Sequence, residues 1–371
     1  MNIGVPSEIK NNERRVGMTP ESVAEVTAHG HSVVVQAGAG AGIGATDADY
    51  QAAGATTVPT AADAFAADMV VKVKEPQAIE RAMLRRGQTL FTYLHLAPDT
   101  DQTRELVDSG VTAVAYETVT GPLGGLPLLA PMSQVAGRLA VQAGAHALES
   151  PQGGRGILLG GVPGVPPASV VIIGGGVAGS NAATIAFGMG AKVTVLDRSA
   201  AVLERLDDRF GSQIITEYAT RSALVRHLAT ADMVIGAVLL RGARAPRLIS
   251  RADLALMQQG SVLVDISIDQ GGCFETSRAT THDDPTFVVD GITHYCVANM
   301  PGAVARTSTY ALNNVTLPHI VALADKGTKQ ALIDDQYLRD GLNVHAGHIT
   351  EAAVAEAQGY PYVDAITALA A

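Results

Sequence analysis

Polar side chains recur in pairs where two predicted strands in the first third of the chain end. One pair is Lys72 and Lys74, and the other is Tyr93 and His95. Residues two apart in a strand share a face of the sheet, and ligands of open α/β sheets bind beyond the carboxyl ends of the strands. We therefore expect Lys74 and His95 to be positioned for a ligand site, with an ordinary strand lysine and a structural histidine as the alternative interpretations. Lys72 is interpreted as a solvated or ion-paired strand residue.

Two further candidates follow other predicted strands. Asp269 directly follows a predicted strand and lies shortly before Gly271 and Gly272, so an ordinary turn carboxylate is the alternative interpretation. Arg15 lies in the loop after the first strand. Its neighbour Arg14 is an equal candidate, and a surface charge is the alternative for either arginine.

A glycine pattern in the middle of the chain predicts a dinucleotide-binding site. The buried strand Val170–Ile173 leads directly into Gly174, Gly176 and Gly179, and a helix-like stretch follows. In Gly-x-Gly-x-x-Gly the first glycine makes a tight turn, the second lets a pyrophosphate approach, and the third lets the helix pack on the strand. The helix N-terminus offers N–H groups to the phosphates. Eighteen residues after the third glycine, Asp197 ends a second strand, where a carboxylate can bind the adenine ribose.

The histidines and the nucleophile motifs give weaker signals. His345 and His348 are three residues apart, a spacing that could place them on one face of a helix. A third ligand is not apparent, so we expect no metal site. Neither a Gly-x-Ser-x-Gly elbow nor a Gly-x-x-x-x-Gly-Lys-Ser/Thr phosphate loop is found, which argues against those hydrolase classes.

Composition restricts the class of protein. The 371 residues suggest two or three domains, and 47% hydrophobic with 17% charged residues is enough for large cores. The net charge of −10 argues against a nucleic-acid or anionic-membrane surface. Cys273 and Cys296 lack metal spacing, so we expect reduced thiols in the cytoplasm. We expect neither a secretion signal nor a membrane span, because the sequence shows no basic-then-apolar start and no apolar run of 18 residues.

Strand and helix patterns alternate along the first third, which predicts a mostly parallel sheet. The predicted strands are Asn2–Val5, Ser32–Gln36, Met69–Lys74, Thr89–Leu96 and Val111–Glu117. The predicted helices are Pro20–His29, Asp47–Ala53, Ala61–Ala66, Ala78–Arg85 and Asp101–Asp108. A second series has strands at Val170–Ile173, Lys192–Asp197, Gln213–Ala219, Asp232–Ala237 and Ser261–Ile268.

Two helical regions flank this second series. Met132–Leu148 has small residues at helical spacing, which favours close packing at a domain hinge or a subunit contact rather than chemistry. From about Ala303 the chain turns helical, and Pro318 is predicted to kink or divide the first helix. We expect two doubly wound, Rossmann-like α/β domains: a discontinuous substrate domain, residues 1–128 with 304–371, and a dinucleotide domain, residues 129–303. The cleft between them would hold the substrate.

The chain resembles the alanine dehydrogenase family, which is related to the N-terminal domains of pyridine nucleotide transhydrogenase. The resemblance covers essentially the whole length. The segments that carry it are residues 4–16, 72–76, 93–96, 127–133, 174–179, 264–272 and 298–301.

The resemblance implies a role for individual residues. Those implied for the substrate are Arg15, Lys74, Tyr93, Met132 and Asn299, and those implied for proton transfer are His95 and Asp269. Those implied for the cofactor are Ser133, Gly174, Gly176, Val177, Ala178, Gly179, Asp197, Arg198, Asp269, Asn299 and Met300. Arg198, where an uncharged residue is expected, leaves some room for the 2′-phosphate of NADP.

The implied reaction is the reversible NAD-dependent oxidative deamination of L-alanine to pyruvate and ammonia, by a homohexamer in the bacterial cytoplasm. Two alternatives remain open. An opine-type dehydrogenase, such as a saccharopine dehydrogenase, would need a more open cleft. A non-catalytic transhydrogenase-like dinucleotide-binding module would need membrane-spanning segments in this chain or in a partner, and the Tyr93/His95 pair argues against it.

Overall fold

The chain forms two compact α/β units, described by a computed structural model that covers residues 1–238 and 245–370. Unit 1 comprises Met1–Met132 and Val304–Ala371, and unit 2 comprises Ser133–Ala303. Each unit is built on one mostly parallel sheet with helices between the strands. The prediction of two doubly wound domains is confirmed.

The helices and strands follow one another along the chain in short βα units. The strands are β1 (Asn2–Val5), β2 (Ser32–Gln36), β3 (Thr56–Val58), β4 (Met69–Val71), β5 (Thr89–Thr92), β6 (Thr112–Ala115), β7 (Ser169–Ile173), β8 (Lys192–Asp197), β9 (Ile215–Tyr218), β10 (Met233–Gly236), β11 (Val262–Asp265), β12 (Thr286–Val289), β13 (Ile292–Tyr295), β14 (Leu342–His345) and β15 (His348–Ile349). The α-helices are α1 (Pro20–Ala28), α2 (Asp47–Ala52), α3 (Ala61–Phe65), α4 (Ala78–Arg81), α5 (Thr100–Ser109), α6 (Ala130–Ala147), α7 (Val177–Gly188), α8 (Ala200–Phe210), α9 (Arg221–Leu228), α10 (Ala305–Lys326), α11 (Thr328–Asp334), α12 (Gln336–Arg339), α13 (Ala352–Gln358) and α14 (Ala365–Ala370).

The sheet of unit 1 has the order β15-β14-β6-β5-β4-β1-β2-β3. Strands β1 to β6 are parallel, and β14 joins β6 in antiparallel orientation. The carboxyl-terminal ends of the adjacent strands β1, β4 and β5 therefore lie side by side at one edge of the sheet. Ligands bind beyond this edge in such sheets.

The sheet of unit 2 has the order β12-β13-β11-β10-β7-β8-β9, and β12 is its antiparallel strand. The strand order reverses at β7, which has β8 on one side and β10 on the other. This reversal is the topological switch point at which doubly wound sheets bind dinucleotides.

Strands β4 and β5 end earlier than predicted. The predicted strand Met69–Lys74 stops at Val71, and Thr89–Leu96 stops at Thr92. In both cases a side-chain carboxylate accepts a hydrogen bond from a backbone N–H group that would otherwise continue the ladder. Glu8 accepts the one from Val73 after β4, and Glu117 accepts the one from Leu94 after β5. The candidate site residues therefore lie just beyond the strands.

His345 and His348, whose spacing could have placed them on one face of a helix, lie on two strands instead. They face each other across the β14–β15 hairpin. The turn between them is Ala346 and Gly347, both with positive φ (50° and 94°), as a two-residue hairpin turn requires. The strands missed from the sequence are all short and include the edge strands β3, β12 and β15.

Pro318, which is predicted to kink or divide its helix, does not divide it, because α10 runs through the proline. Leu312 lies on one side of the proline and Ile320 and Leu323 on the other, and all three are buried in the core of unit 1. Burial of this face offsets the cost of an internal proline, which is about 3 kcal/mol.

The small residues of α6 allow it to pack closely against other residues of unit 2. A Cβ at Gly137 would overlap the carbonyl oxygen of Ala178, and one at Gly144 would lie 2.7 Å from the sulfur of Met233. Ala140 is fully buried. Because the chain itself covers this face, its interpretation as a subunit contact is wrong.

Candidate active site

Arg15 is a buried cation held by Glu13. Its Nε donates to Oε1 of Glu13 at 2.7 Å, and Nη2 donates to Oε2 of the same carboxylate. Nη1 lies 3.0 Å from the sulfur of Met132. Burial alone would lower the pKa of Arg15, but the Glu13 carboxylate outweighs it and raises the pKa. Of the two arginine candidates, Arg15 is buried within unit 1, whereas Arg14 is exposed.

A cavity of about 320 Å³ adjoins this pair. Its polar wall includes Glu8, Glu13 and Arg15, and its other side is formed by the glycine- and alanine-rich segment 38–42. The volume is at the lower end of the range for ligand pockets.

The two lysines after β4 have different surroundings. Lys72 is fully buried, and its Nζ lies 2.7 Å from Oε1 of Glu80 and 3.1 Å from Oε2 of Glu8. Burial alone would lower the pKa of Lys72, but the two carboxylates raise it. Lys72 is thus an ion-paired structural residue. The Nζ of Lys74 lies 3.9 Å from Oε2 of Glu75, and its side chain is 12% exposed.

Tyr93 and His95 stack with parallel rings, 5.9 Å between centroids. The Tyr93 hydroxyl donates to the Leu128 carbonyl at 2.6 Å, and burial raises the pKa of the phenol. His95 has a positive φ of 53°, and its side chain is 47% exposed. Its backbone N–H donates to Oε1 of Glu117 at 2.6 Å, and its Nδ1 lies 3.7 Å from the same oxygen. Tyr93 is therefore neutral and fixed, while the His95 ring is accessible.

The structure brings the predicted residues of unit 1 to one sheet edge, together with carboxylates that the sequence did not single out. Glu13, Glu8 and Glu117 each bind the backbone or side chain of a predicted residue. Glu8 and Glu13 lie shortly after β1 and before Arg15, within the segment 4–16 that carries the family resemblance, and this is the sequence signal that could have found them.

The Gly-x-Gly-x-x-Gly pattern of unit 2, Gly174–Gly179, which we call the fingerprint, has the predicted local structure. Gly174 has a φ of 98°, and a Cβ there would lie 2.6 Å from the Ala237 carbonyl oxygen. A Cβ at Gly179 would overlap the carbonyl oxygen of Gly174, so helix and strand pack as closely as backbone allows. A Cβ at Gly176 would meet nothing within 4 Å, so space is open beside the first turn of α7, where Val177 and Ala178 lie. This arrangement fits a dinucleotide pyrophosphate.

Asp197 ends β8 and faces the fingerprint loop. Its Oδ2 accepts a hydrogen bond from the backbone N–H of Gly175 at 2.6 Å, and Oδ1 accepts one from Ser199 at 2.8 Å. The next residue, Arg198, is exposed. The carboxylate is thus held at the position where a ribose hydroxyl is recognised in this fold.

The loop that carries Asp269 is braced by a buried aspartate. Asp265, at the end of β11, accepts hydrogen bonds from the backbone N–H groups of Ser267 (3.0 Å) and Cys273 (2.9 Å) and from the Ser277 hydroxyl (2.5 Å). Burial raises the pKa of Asp265. Asp269 itself is exposed, so its carboxylate is accessible on a fixed loop.

Asn299 and Met300 lie beside this loop. The backbone N–H of Asn299, whose φ is 62°, donates to Oδ2 of Asp269 at 3.4 Å. Met300 is buried. Ser133, in the first turns of α6, is partly buried. These residues belong to unit 2.

Two further properties concern residues 1–238 and 245–370. Within these ranges, no cluster of three or more His, Cys, Asp and Glu side chains is arranged to hold a metal ion. The helices described there include none that is both long and apolar enough to cross a membrane.

Comparison with known proteins extends over nearly the whole chain. The family models "Alanine dehydrogenase/PNT, N-terminal domain" and "C-terminal domain" match residues 4–136 and 140–352. An alanine dehydrogenase of Halomonas elongata is 61% identical over 366 residues, 98% of this chain and 99% of the relative. A solved L-alanine dehydrogenase has a TM-score of 0.93 at 51% identity, covering 96% of this chain and 99% of the other. A transhydrogenase from Sinorhizobium meliloti has a TM-score of 0.82 at 26% identity, covering 94% and 100%.

Proposed function

The chain belongs to the alanine dehydrogenase/PNT family, and we propose that it catalyses the reversible NAD-dependent oxidative deamination of L-alanine to pyruvate and ammonia. The observation that carries this proposal is the identity of more than half of all residues with proteins named alanine dehydrogenase, over almost the full length of both chains. The substrates are small molecules, and the enzyme is proposed to work in the cytoplasm.

Arg15 and Lys74 are proposed to hold the carboxylate and the carbonyl of the substrate. The charge of Arg15 is already balanced by the bidentate Glu13. The Lys74 ammonium lies 3.9 Å from a carboxylate that also pairs with Lys10. Lys74 therefore contributes the less compensated positive charge, which is what stabilises negative charge developing on the substrate oxygen. Met132 and Asn299 are the other substrate-binding residues proposed.

Proton transfer is assigned to His95 and Asp269. Both side chains are exposed and so can exchange protons with substrate and water. Tyr93 is excluded from this role, since burial raises its pKa and its hydroxyl is committed to Leu128. It shapes the pocket by stacking on the histidine ring.

The residues that would hold NAD are those of the fingerprint and of the loops beyond β8 and β11. Gly174, Gly176 and Gly179 with the first turn of α7 would hold the pyrophosphate, and Asp197 the adenine ribose. Ser133, Asp269, Asn299 and Met300 would line the nicotinamide side. When bound, NAD supplies the hydride acceptor for the redox step.

Replacing Asp197 with alanine is expected to weaken NAD binding and to relax the preference for NAD over NADP, because the carboxylate that would repel a 2′-phosphate is removed. Arg198→Ala is the matched control and should sharpen the preference, since it removes the neighbouring positive charge. The ratio of kcat/KM for the two cofactors is the measurement. Comparable efficiency of the wild type with NAD and NADP would show that Arg198 outweighs Asp197.

Light scattering at micromolar concentration should give about six times the 38.2 kDa mass of one chain, because the family resemblance implies a homohexamer. The buried small-residue face of α6 is not available for this contact, so other surfaces must form it. A stable monomer would contradict the proposed assembly.

One steady-state assay tests the function as a whole. Turnover with alanine and NAD, and with pyruvate, ammonia and NADH, is the expected result. Turnover with 2-oxoglutarate and lysine instead would identify an opine-type dehydrogenase. The likeness to a transhydrogenase gives a second candidate, a dinucleotide-binding module, which would bind NADH and turn over none of these substrates.

A further inference from the structure

We propose that Glu8 is a positioning residue for Lys74, an inference that rests on the function proposed above. Glu8 follows β1, and Lys74 follows β4, the neighbouring strand with which β1 pairs in parallel. Carboxyl ends of parallel neighbours meet at one edge of a sheet. The loop after β1 therefore reaches the segment that leaves β4.

The Glu8 carboxylate contacts three consecutive residues of that segment. Its Oε1 accepts hydrogen bonds from the backbone N–H groups of Val73, at 2.6 Å, and of Lys74, at 3.4 Å. Its Oε2 accepts one from Nζ of Lys72 at 3.1 Å. The Glu8 side chain is 2% exposed, so water competes little for these bonds. Hydrogen bonds to an ionised carboxylate are among the strong ones.

The opposite edge of the segment is held by residues at the end of β5. The Thr92 hydroxyl donates to the Lys74 carbonyl at 3.0 Å, and the backbone N–H of Tyr93 donates to the Val73 carbonyl at 3.3 Å. The segment is thus bound through its carbonyl groups from one side and through its N–H groups from the other. Loss of Glu8 would release the N–H side.

The Lys74 ammonium group makes weaker contacts than the Lys74 backbone does. The 3.9 Å between Nζ and Oε2 of Glu75 exceeds hydrogen-bond distance. Glu75 is also the partner of Lys10. The position of the ammonium therefore follows chiefly from where the backbone of Lys74 is held, and Glu8 holds it.

Glu80 provides a matched control. Its side chain is as deeply buried as that of Glu8, and its Oε1 accepts a hydrogen bond from the same Lys72 Nζ at 2.7 Å. Its other oxygen accepts the backbone N–H of Gln77 at the start of α4. Removing the charge of Glu80 deprives Lys72 of one charged partner. It leaves in place the hydrogen bonds that the Val73 and Lys74 N–H groups donate to Glu8.

The experiment compares Glu8→Asp, Glu8→Gln and Glu80→Gln with the wild-type enzyme. Aspartate keeps the charge but withdraws the carboxylate by one methylene, so the two backbone bonds are lost. Glutamine keeps the reach and an acceptor oxygen but loses the charge that Lys72 needs. The measurements are thermal unfolding, kcat and KM for pyruvate, NADH binding, and hydrogen exchange of the amides in residues 72–76.

Glu8→Asp should lower kcat/KM for pyruvate about 10²-fold, the loss expected for a misplacement of about 1 Å, and should remove the exchange protection of the Val73 and Lys74 amides. Glu8→Gln and Glu80→Gln should lower the unfolding temperature more and kcat/KM less, and NADH binding should be unchanged in all three. A kinetic loss in Glu8→Gln as large as in Glu8→Asp, or intact amide protection in Glu8→Asp, would overturn the inference. Amide exchange needs no substrate, so an inactive wild type would refute the proposed function while the exchange data still decide the role of Glu8.

Discussion

Replacing Lys74 with alanine is expected to nearly abolish turnover of alanine and of pyruvate. The change removes the less compensated of the two cations proposed at the substrate. Loss of a single group that stabilises developing negative charge costs about 10²–10³-fold in kcat. Because the side chain contributes one long ion pair to the fold, the unfolding temperature should stay near that of the wild type. Steady-state kinetics in both directions, with a thermal melt, is the measurement.

Lys72 gives the contrast to this prediction. Lys72→Ala leaves the buried carboxylates of Glu8 and Glu80 without their cation, and breaking a buried pair costs about 3–5 kcal/mol of stability. The unfolding temperature of Lys72→Ala should therefore be much lower than that of the wild type. Arg15→Ala should raise KM for pyruvate and alanine, and, because it removes the cation that pairs with the buried Glu13 carboxylate, it should also lower the unfolding temperature. A Lys74→Ala enzyme with near wild-type kcat, beside a folded but inactive Lys72→Ala enzyme, would show that Lys72 is the substrate-binding lysine.

The parts of the site that could be predicted from the sequence are those encoded locally. The fingerprint is a run of six residues in which each glycine has its own steric reason, and the structure shows those reasons at Gly174 and Gly179. Strands β1, β2 and β8 have the predicted bounds, because apolar runs between turn residues mark them. The position of Lys74 near the end of a strand could be predicted from the same kind of pattern.

The carboxylates that position the site are nonlocal and could not be predicted. Glu8 reaches a segment more than 60 residues away, and Glu117 binds the Leu94 and His95 amides from 22 or 23 residues away. A glutamate in a loop gives no sign of such a partner. The β14–β15 hairpin was missed for a related reason, since its Ala346–Gly347 turn lacks the Asn-Gly or Asp-Gly signal of such turns.

His95→Ala should lower turnover by about 10²–10⁴-fold, the usual range for a positioned acid–base group. Oxidative deamination requires protons to be taken up and released, and His95 is exposed at the sheet edge where the proposed substrate-binding residues lie. NADH binding should stay near wild type, because the fingerprint and Asp197 belong to unit 2. NADH fluorescence measures this well, since the chain has no tryptophan. Asp269→Asn should keep the loop but lose the charge, with a similar loss of rate.

The matched control for His95 is His348→Ala. His348 is an exposed histidine of the same unit, on the edge hairpin of the sheet, so its loss should leave turnover unchanged. Because the Tyr93 ring stacks on His95, a thermal melt of His95→Ala must show that the pocket remains folded before the rate is interpreted. A folded His95→Ala enzyme within about threefold of wild type, between about pH 7 and 10, would reduce His95 to a packing residue, because a positioned acid–base group contributes far more than that. Proton transfer would then have to be assigned to another group, such as Asp269.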